Sequence, residues 1–244
     1  MNDEPVSFAA SFDDPRISDQ FCRRVASDGG DVTLLGVVHD HPASIARVEL
    51  ILEEISPDVL ALELPPAAVP LYRMYARDRS AVPRFGGEMS AAIRAADDAE
   101  LEGIDAPSWS FLRRLLATLL GDRVAPSTAR RLLSSLGSAT RTAVTCRLAA
   151  TLTHATSMTV AYDDPIEYDC DHADSPDRQA AHERAHVAGV QALLPGADAS
   201  TVAYRDETRE RCMIDRLEAA RSDGSVVAVV GVDHLDALET ALSA

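Results

Sequence analysis

Two histidines stand in the same local setting near opposite ends of the chain. Leu34-Leu35-Gly36-Val37-Val38-His39 closes an apolar run with G-x-x-H, and Val229-Val230-Gly231-Val232-Asp233-His234 closes another in the same way. Each run reads as a buried strand, and each imidazole falls where its strand runs out. If both strands belong to one parallel sheet, both rings emerge at its carboxyl edge, where open α/β sheets place their sites. Carboxylates have comparable positions. Glu63 closes the apolar stretch Val59–Leu64 and should lie beside His39 if the two strands are neighbours. Glu88 follows Gly86-Gly87, a pair that permits a tight turn or close approach, and opens a helix whose dipole favours a negative charge. Arg205, in Tyr204-Arg205-Asp206, can clamp a carboxylate or phosphoryl group or stabilise developing negative charge. His39, Glu63, Glu88, Arg205 and His234 together have the residue types of a hydrolase. His39, His234 and Glu63 can hold a divalent metal whose bound water is a nucleophile near neutral pH. Without metal, one histidine can deprotonate water while another group protonates the leaving atom.

A second constellation competes. His182-Glu183-Arg184-Ala185-His186 spells H-E-x-x-H. On a helix His182 and His186 share a face, Glu183 is placed as a base, and Glu207 or Glu210 is a candidate third ligand. Arg184 puts a cation where a zinc site disfavours one, and the flanks are bland helix, so an ordinary solvated helix is the simpler reading. A third feature, the acidic stretch Tyr162–His172, lacks the spaced glycine of a calcium loop and reads as a solvated loop.

Elements that position these residues follow from periodicity and punctuation. Val32–Val38 is a strand. Pro42 and Ser44 open a helix to about Ile55, with Ile45, Val48, Leu50, Ile51 and Ile55 as its apolar stripe, and Ser56-Pro57-Asp58 stops it. Val59–Leu64 is the next strand, so residues 32–64 form a βαβ unit. Helices follow over about 66–79 and 88–99, with a short strand at Leu101–Ile104. A Leu/Ala/Arg-rich helical stretch covers about 107–156. A helix opens at Ser175-Pro176, another covers 199–221, Val226–Val230 is the last strand, and Leu235–Ser243 closes the chain. The expected fold is α/β, a small and mainly parallel sheet flanked by helices. Residues 1–31 are an N-terminal segment, 32–106 plus 199–244 the core, and 107–198 a helical insertion.

Composition narrows the function. The chain has 244 residues, 39 Asp and Glu against 23 basic residues, and a formal net charge of −16. Every basic residue is Arg. Such a surface disfavours nucleic acid and anionic membranes. It fits adaptation to high salt, where self-repulsion is screened. Cys22, Cys146, Cys170 and Cys212 show neither C-x-x-C nor a disulfide framework, which suits reduced thiols. No run reaches the roughly 18–20 apolar residues of a membrane span, and no secretory leader is visible. The expected location is cytoplasmic.

In the order Gly36-Val37-Val38-His39, Asp58–Leu64, Gly87–Ile93, Arg205-Asp206 and Gly231-Val232-Asp233-His234, the chain resembles the TraB/PrgY family, which includes the Tiki metalloproteases. The likeness covers roughly 32–105 and 200–240. It implies an α/β core and metal-dependent peptide cleavage, with His39 and His234 as ligands or catalytic imidazoles, Glu63 and Glu88 as carboxylates, and Arg205 as electrostatic partner. The chain departs from the pattern at Val37 and Asp40, where small or hydroxyl residues are usual, and in lacking a membrane segment. The expected activity is hydrolysis of a peptide or amide bond, with a peptide or small molecule as substrate and room for a homo-oligomer. A non-catalytic protein sequestering a signalling peptide, small molecule or haem in the same cleft is the alternative.

Overall fold

The computed structural model describes residues 7–105 apart from 28, 79, 81 and 97, together with 165–193 and 199–244. Strands are β1 (Cys22–Val25), β2 (Val32–Val37), β3 (Val59–Leu62), β4 (Glu100–Gly103) and β5 (Val226–Gly231). Helices are α1 (Pro42–Glu54), α2 (Val69–Tyr75), α3 (Gly87–Ala95), α4 (Pro176–Leu193), α5 (Ala199–Ala220) and α6 (Leu235–Leu242). Among the described residues the strands form one sheet in the order β1–β2–β5–β3–β4. It is parallel throughout except for β1, which runs antiparallel to β2 at one edge. The fold is therefore α/β, as the sequence pattern predicts. Most of the expected insertion, 107–198, lies outside the described residues; its described part is a loop over 165–175 followed by α4.

Strand order corrects one expectation. β2 and β3 bracket a βαβ unit in sequence but are not neighbours, because β5 lies between them and pairs with both. The continuous apolar run of β5 suits that central place, buried on both faces. Alternation then sorts the core. Leu35, Val37, Leu60, Leu62, Val227 and Val229 face α1, α2 and α3. Leu34, Ala61, Ala228 and Val230 face α5 and α6 through Met213, Leu217, Leu235 and Leu238. Gly36 is glycine because α6 crosses directly over it: a Cβ there would run into the Leu235 side chain.

Helix α4 is fastened to α1 by ion pairing inside the protein. The Arg47 guanidinium and the Glu183 carboxylate are both 0% exposed and directly paired. Arg47 also donates to the carbonyls of Gly36 and Arg16, each at 2.7 Å, and lies over the Phe21 ring. Glu183 accepts from the Ser44 hydroxyl as well. A single guanidinium thus joins the end of β2, the N-terminal segment and α4. Removing one member of such a pair strands a buried charge. Glu183→Ala is expected to lower unfolding free energy by about 3–5 kcal/mol, and the apolar double replacement R47M/E183L by clearly less. Urea denaturation at neutral pH measures both; equal losses would contradict the assignment.

Candidate metal and catalytic centre

β2 and β5 are parallel neighbours, and Val37 pairs with Gly231 at their carboxyl ends. His39 and His234 follow those two residues closely, so both imidazoles leave the same edge of the sheet. Each is engaged by different carboxylates.

At the end of β2 the chain turns sharply, with the His41 N–H donating to the Val38 carbonyl at 3.0 Å. Asp40 occupies the left-handed region at φ 56°, alone among described non-glycine residues. That conformation costs about 1–2 kcal/mol and persists only where neighbours hold it. Glu88 is one of them. Its carboxylate, 1% exposed, accepts from His39 Nδ1 at 2.9 Å and from the Asp40 N–H at 2.8 Å. A carboxylate only accepts, so Nδ1 carries a proton. Nε2 stands 3.6 Å from Asp40 Oδ2, and the ring is 48% exposed. Gly87, at φ 40°, admits this arrangement, since a Cβ there would strike the Asp40 carboxylate. His39, Asp40 and Glu88 each present a ligand atom within 4.8 Å of the others. This group can hold a metal ion. The beside-lying cleft is lined by His39, Asp40, Tyr72, Tyr75, Phe85, Gly86 and Pro165, and has a volume of about 10 Å³, roughly enough for a single water.

His234, at the end of β5, sits in a separate group. Its Nδ1 meets Glu210 at 3.0 Å, and its Nε2 lies 3.6 Å from Glu63. Glu63 is thus beside His234 rather than His39, because β5 intervenes. One Glu63 oxygen accepts the Gly231 N–H at 2.6 Å, and the other pairs with Arg209. Arg209 also grips Asp105 through two nitrogens, at 3.0 and 2.9 Å. Burial works against the Arg209 charge, but Asp105 and Glu63 more than offset it and hold its pKa above the usual value. The expected metal set of His39, His234 and Glu63 does not meet as one cluster among the described residues. His39 is grouped with Asp40 and Glu88, while Glu63 has both oxygens engaged by backbone and guanidinium. The Arg205 side chain lies outside what the structure describes; the cation at Glu63 is Arg209, one helical turn later.

The H-E-x-x-H residues have other work. Glu183 is sealed against Arg47 and Ser44, so it is neither a solvent-facing base nor a solvated helix residue. His41 Nδ1 accepts the Ala43 N–H and caps α1. Its Nε2 therefore bears the proton and donates to His182 Nδ1 at 3.0 Å. Of the two candidates for that motif's third ligand, Glu207 and Glu210, Glu210 is engaged by His234. The loop after residue 165 is not simply solvated either. The Ile166 N–H donates to Asp40 Oδ2 at 3.0 Å, and the Tyr168 hydroxyl to the His39 carbonyl at 2.7 Å. Burial, with the charges of Asp40, Glu88 and Glu183, pushes the Tyr168 hydroxyl up to about 12, so it remains a donor. Asp40, Tyr168, Arg209 and the pairing of Glu210 with His234 have no sequence motif of their own.

Cys22, Cys170 and Cys212 are buried, and none forms a disulfide. Burial pushes the Cys22 thiol up to about 11. No helix among the described residues is long and apolar enough to cross a membrane. Comparison of the chain with family models, with curated proteins and with solved structures returns no match.

Burial, then the neighbouring His182 and His186, pull the His41 pKa down to about 3 from 6.5. Below pH 6.5 the unfolded chain therefore takes up a proton that the folded one refuses, and stability falls as pH falls toward 3. Between pH 7 and 5 this amounts to about 2 kcal/mol. His41→Asn keeps a capping side chain without titrating, and its stability is expected to fall by correspondingly less over that range. Parallel pH slopes in denaturant melts of the two proteins would contradict this.

Proposed function

We propose that the chain is a hydrolase acting on a peptide or amide bond, with a divalent cation at His39, Asp40 and Glu88. The observation that carries this reading is the His39 ring: Nδ1 fixed by a buried carboxylate, Nε2 turned outward beside a second carboxylate. That is the donor set of a metal centre with an oriented imidazole. The peptide-bond preference rests on the sequence resemblance to the TraB/PrgY family, which is proposed here as kinship.

His39 through Nε2 and Asp40 through Oδ2 would hold the cation, while Glu88 fixes the tautomer and basicity of the ring. A bound cation supplies a Lewis acid that polarises a carbonyl and acidifies water. Glu88 then has two duties, orienting His39 from Nδ1 and anchoring the Asp40 backbone in its strained turn. His234 stands on the neighbouring strand end with Nδ1 held by Glu210, a carboxylate–imidazole pair suited to moving a proton. Arg209, locked to Glu63 and Asp105, keeps positive charge at that edge and offsets the surrounding carboxylates. The exposed face of His39 is the side from which a substrate carbonyl reaches it. The net charge of −16 disfavours acidic substrates.

The test is hydrolysis of a mixed peptide library by protein dialysed against chelator and then resupplied with Zn²⁺, Mn²⁺ or Co²⁺. Metal content is read alongside. Chelation is expected to abolish turnover reversibly. His39→Ala should lose bound metal. Glu88→Gln should bind it about 10–100-fold more weakly. His234→Ala should retain metal and lose about 100-fold or more in rate. Equal metal content and equal turnover in wild type, His39→Ala and Glu88→Gln would overturn the proposal, as would saturable peptide binding without cleavage.

A further inference from the structure

The His39–Asp40 turn is gripped from two sides. Glu88 takes the His39 ring and the Asp40 amide; the loop 165–175 takes two further polar groups of the turn. Ile166 donates its N–H to Asp40 Oδ2, the oxygen facing His39 Nε2, and Tyr168 donates its hydroxyl to the His39 carbonyl. The Tyr168 ring stands edge-on to His41 and His186, with centroids 4.8 and 5.4 Å away. The loop in turn has a rigid mount. The Gln179 side-chain amide donates to the carbonyls of Asp171, His172 and Asp174, Cys170 is buried, and α4 is fixed by Arg47–Glu183 and His41–His182.

We propose that Tyr168 is a positioning residue: with the Ile166 amide, its hydroxyl holds the His39–Asp40 turn so that Nε2 and Oδ2 face one cation. The segment before α4 thereby completes a centre otherwise built from β2 and α3. Sequence signals for this are faint, because the donors are one hydroxyl and one backbone amide in an acidic stretch. The H-E-x-x-H run acquires a purpose as well: its glutamate and first histidine anchor the helix that carries the loop. This inference rests on the reading of His39, Asp40 and Glu88 as the centre, and its test separates the two.

Tyr168→Phe removes the hydroxyl and keeps the ring; Ile166→Pro removes the amide donor by a different route. Two quantities are read for each: Zn²⁺ affinity by competition with a chromophoric chelator, and the His39 Nδ1–H signal in nitrogen-15 NMR of chelated protein. Melting temperature is followed as a control. Both variants are expected to bind Zn²⁺ about 10-fold more weakly than wild type and to broaden the His39 signal, with Tyr168→Phe melting close to wild type. An unchanged His39 signal in both variants overturns the positioning role, whatever the metal data show. Wild type that binds no Zn²⁺, while the signal still broadens in both variants, overturns the metal-centre reading and leaves the positioning role standing.

Discussion

A carboxylate with 1% exposure must find donors or lose its charge. Glu88 finds two, and both come from the turn after β2: the His39 ring and the Asp40 amide. That one requirement dictates much around it. The turn must be tight enough to present both donors at once, which places Asp40 in the left-handed region. The start of α3 must come close enough to receive them, which requires glycine at 87. The imidazole, bound through Nδ1, has to point Nε2 outward. The placement of Nε2 beside a second carboxylate is thus a geometric consequence of satisfying Glu88.

The second constraint lies behind the first. Arg47 rises from α1, bonds the Gly36 carbonyl near the end of β2, and is sealed from water by Phe21, Glu183 and the carbonyls it serves. A buried ion pair is often no more stable than apolar residues of similar volume, but this one links three segments at once. Here it fixes α4 in one position, and α4 delivers Tyr168 and Ile166 to the centre. The described part of the expected insertion is therefore fastened to the core by the buried Arg47–Glu183 pair and the His41–His182 contact, and contributes donors to it.

Periodicity and punctuation were enough to read the parallel core, because β2, β3 and β5 are apolar runs bounded by glycine, proline and charge, and because α1 carries a clean apolar stripe. β1 was not readable. Four residues with two central arginines show no alternation, and it is held by pairing to β2. Strand order was not readable either: apolar runs say that strands are buried but not which ones touch, so Glu63 was expected beside His39 when β5 separates them. At the site, His39, His234 and Glu88 were visible as polar residues at strand ends and a helix start. Asp40 was hidden because its role depends on a backbone dihedral. Arg209 was hidden because α5 carries four arginines, at 205, 209, 211 and 216, and the sequence does not say which of them reaches Glu63.

The centre can be tested where it would sit. Crystals soaked in Zn²⁺ or Mn²⁺ should give an anomalous difference peak about 2.0–2.2 Å from His39 Nε2 and Asp40 Oδ2, with the Glu88–Nδ1 contact intact. No peak at millimolar metal, or a peak only at His234–Glu210 or between His41 and His182, would contradict the account.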